Sequence, residues 1–121
     1  MHDDEPILIC IEEPESHLHP AAHGNLAERF VDSYLEDNNK RYLIETHSQN
    51  FVLRLRRLVA EGKLKHEELA IYYVDFLEDE YLSELKEIEV DKLGKVNYWP
   101  EGIFSETLEE TMALRDAQFK K

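Results

Sequence analysis

The stretch that most constrains the chain is Ile7-Leu8-Ile9-Cys10-Ile11, a continuous apolar run rich in β-branched residues, bounded by Pro6 and by Glu12-Glu13-Pro14. A short run without polar alternation reads as a strand buried on both faces, the kind found in parallel sheets. The next residues, Glu12-Glu13-Pro14-Glu15-Ser16-His17-Leu18-His19-Pro20, are too polar and proline-rich to prolong it, and predict a loop leaving the carboxyl end of the strand.

Pro20 suits the first turn of a helix. Ala22, Leu26, Phe30 and Tyr34 recur at helical spacing to about Leu35, and Asp37-Asn38-Asn39 ends the element. A second strand, Arg41-Tyr42-Leu43-Ile44-Glu45, runs into Thr46-His47-Ser48. Phe51, Val52, Leu55, Leu58 and Val59 then form an apolar helical stripe that stops near Gly62. With the third apolar run, Leu69 to Val74, the order is β-α-β-α-β, which predicts an α/β fold of about three mostly parallel strands with flanking helices. Past Asp75 the texture changes. Leu85 to Val90 alternates apolar with charged residues, and Asp91-Lys92-Leu93-Gly94 then leads to Val96-Asn97-Tyr98-Trp99, the pattern of a β-hairpin with one wet face. Ser105 is placed to cap a C-terminal helix with Glu106 to Glu110 at its positive end and Lys120 and Lys121 at its negative end.

The 121 residues suffice for one domain, and an apolar share of 42% provides a core. The balance of 14 basic against 27 acidic residues, 14 − 27 = −13, repels phosphate polyanions and anionic lipid, so bulk charge does not bind this chain to nucleic acid or to a membrane surface. Arg54, Arg56, Arg57, Lys63 and Lys65 are the only basic concentration. Arg54 and Arg57 share a helix face while Arg56 points away, so a solvated helix surface is expected rather than a DNA site. Cys10 is the single cysteine, the first residues are acidic, and no apolar run approaches the roughly 20 residues of a membrane helix, which together lead us to expect a cytoplasmic protein.

Glu12 and Glu13 stand at the carboxyl end of the first strand, where open α/β sheets place their ligands. One carboxylate of such a pair can hold a metal ion while the other reaches a nucleophilic water, and the plain alternative is a solvated acidic loop. His47 follows the second strand and precedes a helix start, where an imidazole can meet a phosphate, although a lone histidine is often structural. His17, His19 and His23 invite comparison with a zinc site, but their spacing fits no metal motif; a loop shaped for phosphate or for a partner chain is the other reading.

Ile-Leu-Ile-Cys-Ile-Glu-Glu-Pro-Glu-Ser-His-Leu-His-Pro and Tyr-Leu-Ile-Glu-Thr-His-Ser resemble the Walker B strand, D-loop and switch-histidine loop of ABC-type ATPases. The resemblance is nearest to the predicted AAA ATPases related to the RecF, SMC and OLD families, in which Glu-Glu-Pro-Glu commonly closes the Walker B strand. Trp99-Pro100-Glu101-Gly102-Ile103-Phe104-Ser105-Glu106 resembles the tail of a domain of unknown function that ends many of them. The resemblance implies a partial P-loop NTPase fold, with residues 1–82 as the Walker B to switch-histidine part and residues 83–121 as an extension packed on the same core. It implies that Glu12 helps bind Mg²⁺, that Glu13 polarises the attacking water and that His47 contacts the γ-phosphate of ATP, with Ser48 a weaker carry-over. Ser16, His17, Leu18 and His19 would form the D-loop, which in the family crosses a dimer interface. His19 stands where transporters usually have Asp.

No Gly-x-x-x-x-Gly-Lys-[Ser/Thr] stretch occurs in these 121 residues, whose glycines are Gly24, Gly62, Gly94 and Gly102, and no Leu-Ser-Gly-Gly-type motif occurs either. Without the phosphate-cradling amides and their lysine most nucleotide affinity is lost. The expectation is thus the C-terminal half of an ATPase head that needs a missing N-terminal half or Walker A-bearing partner to bind ATP and Mg²⁺. The full-length form would pair through the D-loop, and any DNA contact would lie outside this chain. The alternatives are an interaction module descended from such an ATPase, without catalysis, and a metal-dependent hydrolase using Glu12, Glu13 and the histidines.

Overall fold

A computed structural model describes residues 5–37, 39–77, 82–99 and 108–119. Strand β1 (Ile7–Glu12) leads through a loop and a 3-10 turn (Pro20–Ala22) to helix α1 (His23–Glu36), strand β2 (Lys40–Glu45) and helix α2 (Gln49–Ala60). Strand β3 (Ile71–Leu77), strand β4 (Leu82–Ile88) and helix α3 (Leu108–Phe119) follow. The fold is α/β as expected, with a parallel pair, flanking helices, an antiparallel hairpin and a C-terminal helix.

β1 and β2 pair in parallel from Ile7 opposite Lys40 to Glu12 opposite Glu45, which brings both carboxyl ends to one edge. The inward face is covered: Tyr42 meets Phe30 of α1 edge-on at 5.4 Å, and its hydroxyl shares a 2.7 Å hydrogen bond with Ser33. The outward face is bare. Leu8 is 62% exposed, Leu43 61%, and Cys10 is also exposed, so β1 is not buried on both faces. Two strands and two helices make two layers, and among the described residues no third layer covers the outer one.

The expected third parallel strand also takes a different place. β3 pairs antiparallel with β4, from Ile71 opposite Ile88 through Val74 opposite Leu85, and the two sheets are separate. Its polarity has the two-residue period of a strand wet on one side, with Tyr72 and Val74 exposed and Ile71 and Tyr73 half-buried. The hairpin expected between residues 85–90 and 96–99 is reduced to one bridge, Val90 with Val96, around a turn in which the Asp91 carboxylate accepts the N–H groups of Leu93 and Lys95. Ser105, Glu106, Lys120 and Lys121 lie outside the described residues.

Helix α2 organises the core. Ser48 caps it, its Oγ accepting the Phe51 N–H at 3.1 Å. On one side Leu58 and Val59 pack with Val31 of α1 and Leu64, and on the other Leu53 and Ala60 pack with Leu114 and Ala117 of α3 beside Trp99. The turn before Val96 is locked to the same helix: Arg56 Nε–H donates to the Gly94 carbonyl at 2.9 Å, and its guanidinium lies 4.9 Å from the Trp99 ring centroid.

Three basic residues of α2 and the loop after it pair with neighbouring carboxylates. Arg54 meets Glu28 at 3.0 Å, Arg57 meets Glu61 at 3.2 Å, and Lys63 meets Asp32 at 2.7 Å and Glu28 at 3.3 Å. The patch is a half-exposed helix surface laced with ion pairs. Among the described residues no helix is long and apolar enough to cross a membrane.

A further tie joins α1 to the segment before β3. The Tyr34 hydroxyl donates to Glu68 Oε2 at 2.6 Å, and this bond holds the Glu68 carboxyl below its usual pKa. A depressed carboxyl contributes stability that is fully present above its unfolded pKa, near 4.5, and is lost as pH falls through the folded value. Tyr34→Phe should therefore lower the urea midpoint at pH 7 and flatten its decline below pH 4.5, as two denaturation series would show.

Candidate functional site

The site lies where β1 and β2 end side by side. Glu13 leaves β1 at φ +44°, in the left-handed region that a residue with a Cβ rarely occupies. Its N–H donates to the Glu45 carbonyl at 2.7 Å, extending the ladder by one bond, and its own carbonyl accepts the Ser16 N–H at 3.1 Å. The reversed backbone coincides with a carboxylate that meets the second residue past β2: Glu13 Oε1 is 3.3 Å from His47 Nε2, with Glu45 Oε1 at 4.0 Å from the same nitrogen. Glu12 is exposed at the end of β1 opposite Glu45. Of the residues singled out from sequence, Glu13 and His47 are thus in contact, with Glu12 one residue away on the strand.

His47 is fixed through its backbone. Its N–H donates to Glu15 Oε2 at 3.0 Å, and Glu15 is buried, at 5% exposure, ahead of the exposed residues Ser16 to Pro20. The next residue, Ser48, donates its N–H to Thr46 Oγ1 at 3.1 Å. Besides capping α2, the buried Ser48 hydroxyl lies 2.7 Å from His23 Nδ1, while His23 Nε2 lies 3.2 Å from the Leu18 carbonyl. A carbonyl only accepts, so Nε2 carries a proton. In the neutral ring Nδ1 then accepts the Ser48 O–H, and each atom of the chain has a partner.

This arrangement separates the three loop histidines. His19 Nδ1 accepts the Ala21 N–H at 3.0 Å, His23 faces Ser48 and Leu18, and His17 is exposed. Among the described residues no three His, Cys, Asp or Glu side chains converge as metal ligands. The Ser16 to His19 segment is a surface turn closed by the Leu18 N–H on the Glu15 carbonyl at 2.9 Å, with Leu18 44% exposed at its tip.

Sequence reasoning left Glu15 among the acidic loop residues and did not single out Gln49. Both are buried at 5% exposure; Glu15 Oε1 and both polar atoms of the Gln49 side chain have no hydrogen-bond partner among the described residues. The only linear hint is position, since each sits within two residues of a candidate group.

Residues 1–52 match the model of the AAA ATPase domain family. Residues 64–114 match a second family, protein of unknown function DUF3696. No curated protein and no solved structure matches the chain. The first match contains β1, the exposed turn, His47 and Ser48, and the second contains β3, β4 and the turn docked on α2. The first part of the chain is therefore similar to AAA ATPase domains, and the second part to DUF3696, a protein of unknown function.

Proposed function

We propose that this chain is the water-activating half of an ABC-type ATPase head of the RecF, SMC and OLD branch, completed by a half or partner that carries Walker A. The observation that carries the reading is the 3.3 Å contact between Glu13 and His47 at the carboxyl ends of two adjacent parallel strands. The bare outer face of that sheet supports it as well: parallel pairs are ordinarily covered on both faces, and here Leu8, Cys10 and Leu43 lie open, as a fold awaiting another layer would leave them.

The donor set fits Mg²⁺ bound together with phosphate. Glu12 and Glu13 supply hard carboxylate oxygens at one strand end, and Mg²⁺ is commonly held by one or two carboxylates plus substrate phosphates and water rather than by a protein cage. When bound, Mg·ATP supplies the reacting phosphoryl group and neutralises the charge that develops on it. Within the chain, Glu12 would be the metal-side carboxylate, Glu13 would orient the attacking water and take its proton, and His47, beside Glu13, would contact the γ-phosphate. Ser48 would contribute as the cap of α2 beside His47, its hydroxyl engaged with the Phe51 N–H and His23. The exposed Ser16 to His19 turn, with Leu18 at its tip, is suited to the dimer contact of a D-loop. A cytoplasmic setting agrees with an exposed, unpaired Cys10.

The test is ATPase activity of the chain joined to a Walker A-bearing half, either in one polypeptide or as a complex. Turnover that appears only on joining supports the reading. A joined form that binds ATP and never hydrolyses it favours the alternative, an interaction module whose site residues are relics. Alone, with no Walker A loop among its 121 residues, the chain should show no rise in melting temperature with millimolar Mg·ATP. A concentration-dependent rise would overturn the half-site reading.

A further inference from the structure

Glu13 and His47 are held in contact by very little of their own. Their side chains are 47% and 73% exposed, and solvent screening together with rotamer entropy leaves such a pair too weak to fix its own geometry. The backbone of each loop must therefore be set by something else. The β1–β2 ladder reaches only as far as the Glu13 N–H on the Glu45 carbonyl, and the Thr46 hydroxyl takes the N–H of Ser48. The main-chain N–H of His47 itself is taken by Glu15, two residues beyond Glu13 on the opposite loop.

That bond has features of a device rather than of packing. Glu15 is buried in a turn whose next residues, Ser16 to His19, are exposed, and two main-chain ties of that turn, Ser16 N–H on the Glu13 carbonyl and Leu18 N–H on the Glu15 carbonyl, fix the backbone from which the carboxylate reaches across. An N–H to carboxylate bond is charge-assisted and stronger than a neutral one. Glu15 Oε1 nevertheless stays buried with no hydrogen-bond partner among the described residues, an arrangement costly in stability that a neutral or apolar residue would avoid.

We infer that Glu15 is a positioning residue, whose carboxylate, by holding the His47 N–H, sets the His47 imidazole against the Glu13 carboxylate. Its meaning for catalysis rests on the ATPase reading, whereas the contact itself is testable without nucleotide.

The experiment uses the whole chain labelled with ¹⁵N and ¹³C. In the unchanged protein a scalar coupling across the hydrogen bond should connect the His47 amide nitrogen to the Glu15 side-chain carboxyl carbon, and an NOE should connect the His47 ring to the Glu13 methylenes. In Glu15→Ala that NOE should vanish and the His47 amide should exchange roughly tenfold faster or more, while amides in the middle of α2 keep their protection. Glu15→Gln, which retains an acceptor oxygen, should restore the NOE. Absence of the coupling in the unchanged protein, or an unaltered NOE and exchange rate in Glu15→Ala, would overturn the inference. The first of these needs no variant, so it decides the matter even should Glu15→Ala not fold. In the joined ATPase, Glu15→Ala should lower kcat with KM nearly constant, and Glu15→Gln should recover most of it. If the coupling and NOE are present but the joined form has no turnover, the ATPase reading fails and the positioning role stands.

Discussion

Glu13→Gln in the joined ATPase is expected to lower kcat by about 10²- to 10⁴-fold, the range by which a positioned general base contributes, while ATP binding stays close to that of the unchanged protein. Gln keeps the size of the side chain and one acceptor oxygen, so the turn at φ +44° and the contact toward His47 are retained while the ability to take a proton from water is lost. Pre-steady-state turnover and nucleotide binding measured on the same preparation separate the two effects. A kcat within tenfold of the unchanged protein would remove Glu13 as the base. His47→Ala should cost less, because it takes away an orienting contact and leaves the carboxylate.

The second large effect concerns stability. Gly94→Ala should destabilise the chain by at least about 2 kcal/mol in urea unfolding. Gly94 is at φ +76°, and a Cβ there would lie 2.4 Å from the Arg56 carbonyl oxygen, a backbone atom of α2 that cannot yield as a flexible side chain would. Moving the turn away would also stretch the Arg56 bond to the Gly94 carbonyl and the stacking of Arg56 on Trp99. Trp99 borders the cluster that joins α2 to α3, so its fluorescence should report the loss. Gly94→Ala with an unchanged urea midpoint would show that the turn is not held against α2.

Local elements were readable because their signals are local. The β-branched run gave β1, Pro20 opened the helical region, and the stripe from Phe51 to Val59 gave α2. The stripe nevertheless omitted Leu53 and Ala60, which are buried because α3 covers a second side of α2. A periodicity argument assigns one apolar face to a helix, and a helix packed on two sides breaks that assumption. The partner of β3 was misread for a related reason. An apolar strand after a helix is compatible with both a third parallel position and a hairpin, and pairing is settled by which neighbour covers its second face.

At the site, parallel strands joined by a helix bring their carboxyl ends to one edge, so Glu12, Glu13 and His47 are expected at that edge, but the Glu13–His47 contact itself came only with the structure. Glu15 was not anticipated, since a buried carboxylate two residues from an exposed one looks the same in sequence.

The sequence by itself determined β1, α1, β2 and α2 in that order, the acidic strand end and the histidine that follows the next strand, because propensity and chain connectivity act over a few residues. Only the tertiary structure decided that the outer face of the β1–β2 pair lies bare, that the arginines of α2 are spent on Glu28, Glu61 and Gly94, and that Glu15 turns inward to hold His47. Burial and long-range hydrogen bonding depend on which surfaces meet, and residues 15 and 47 meet only once two strands lie side by side.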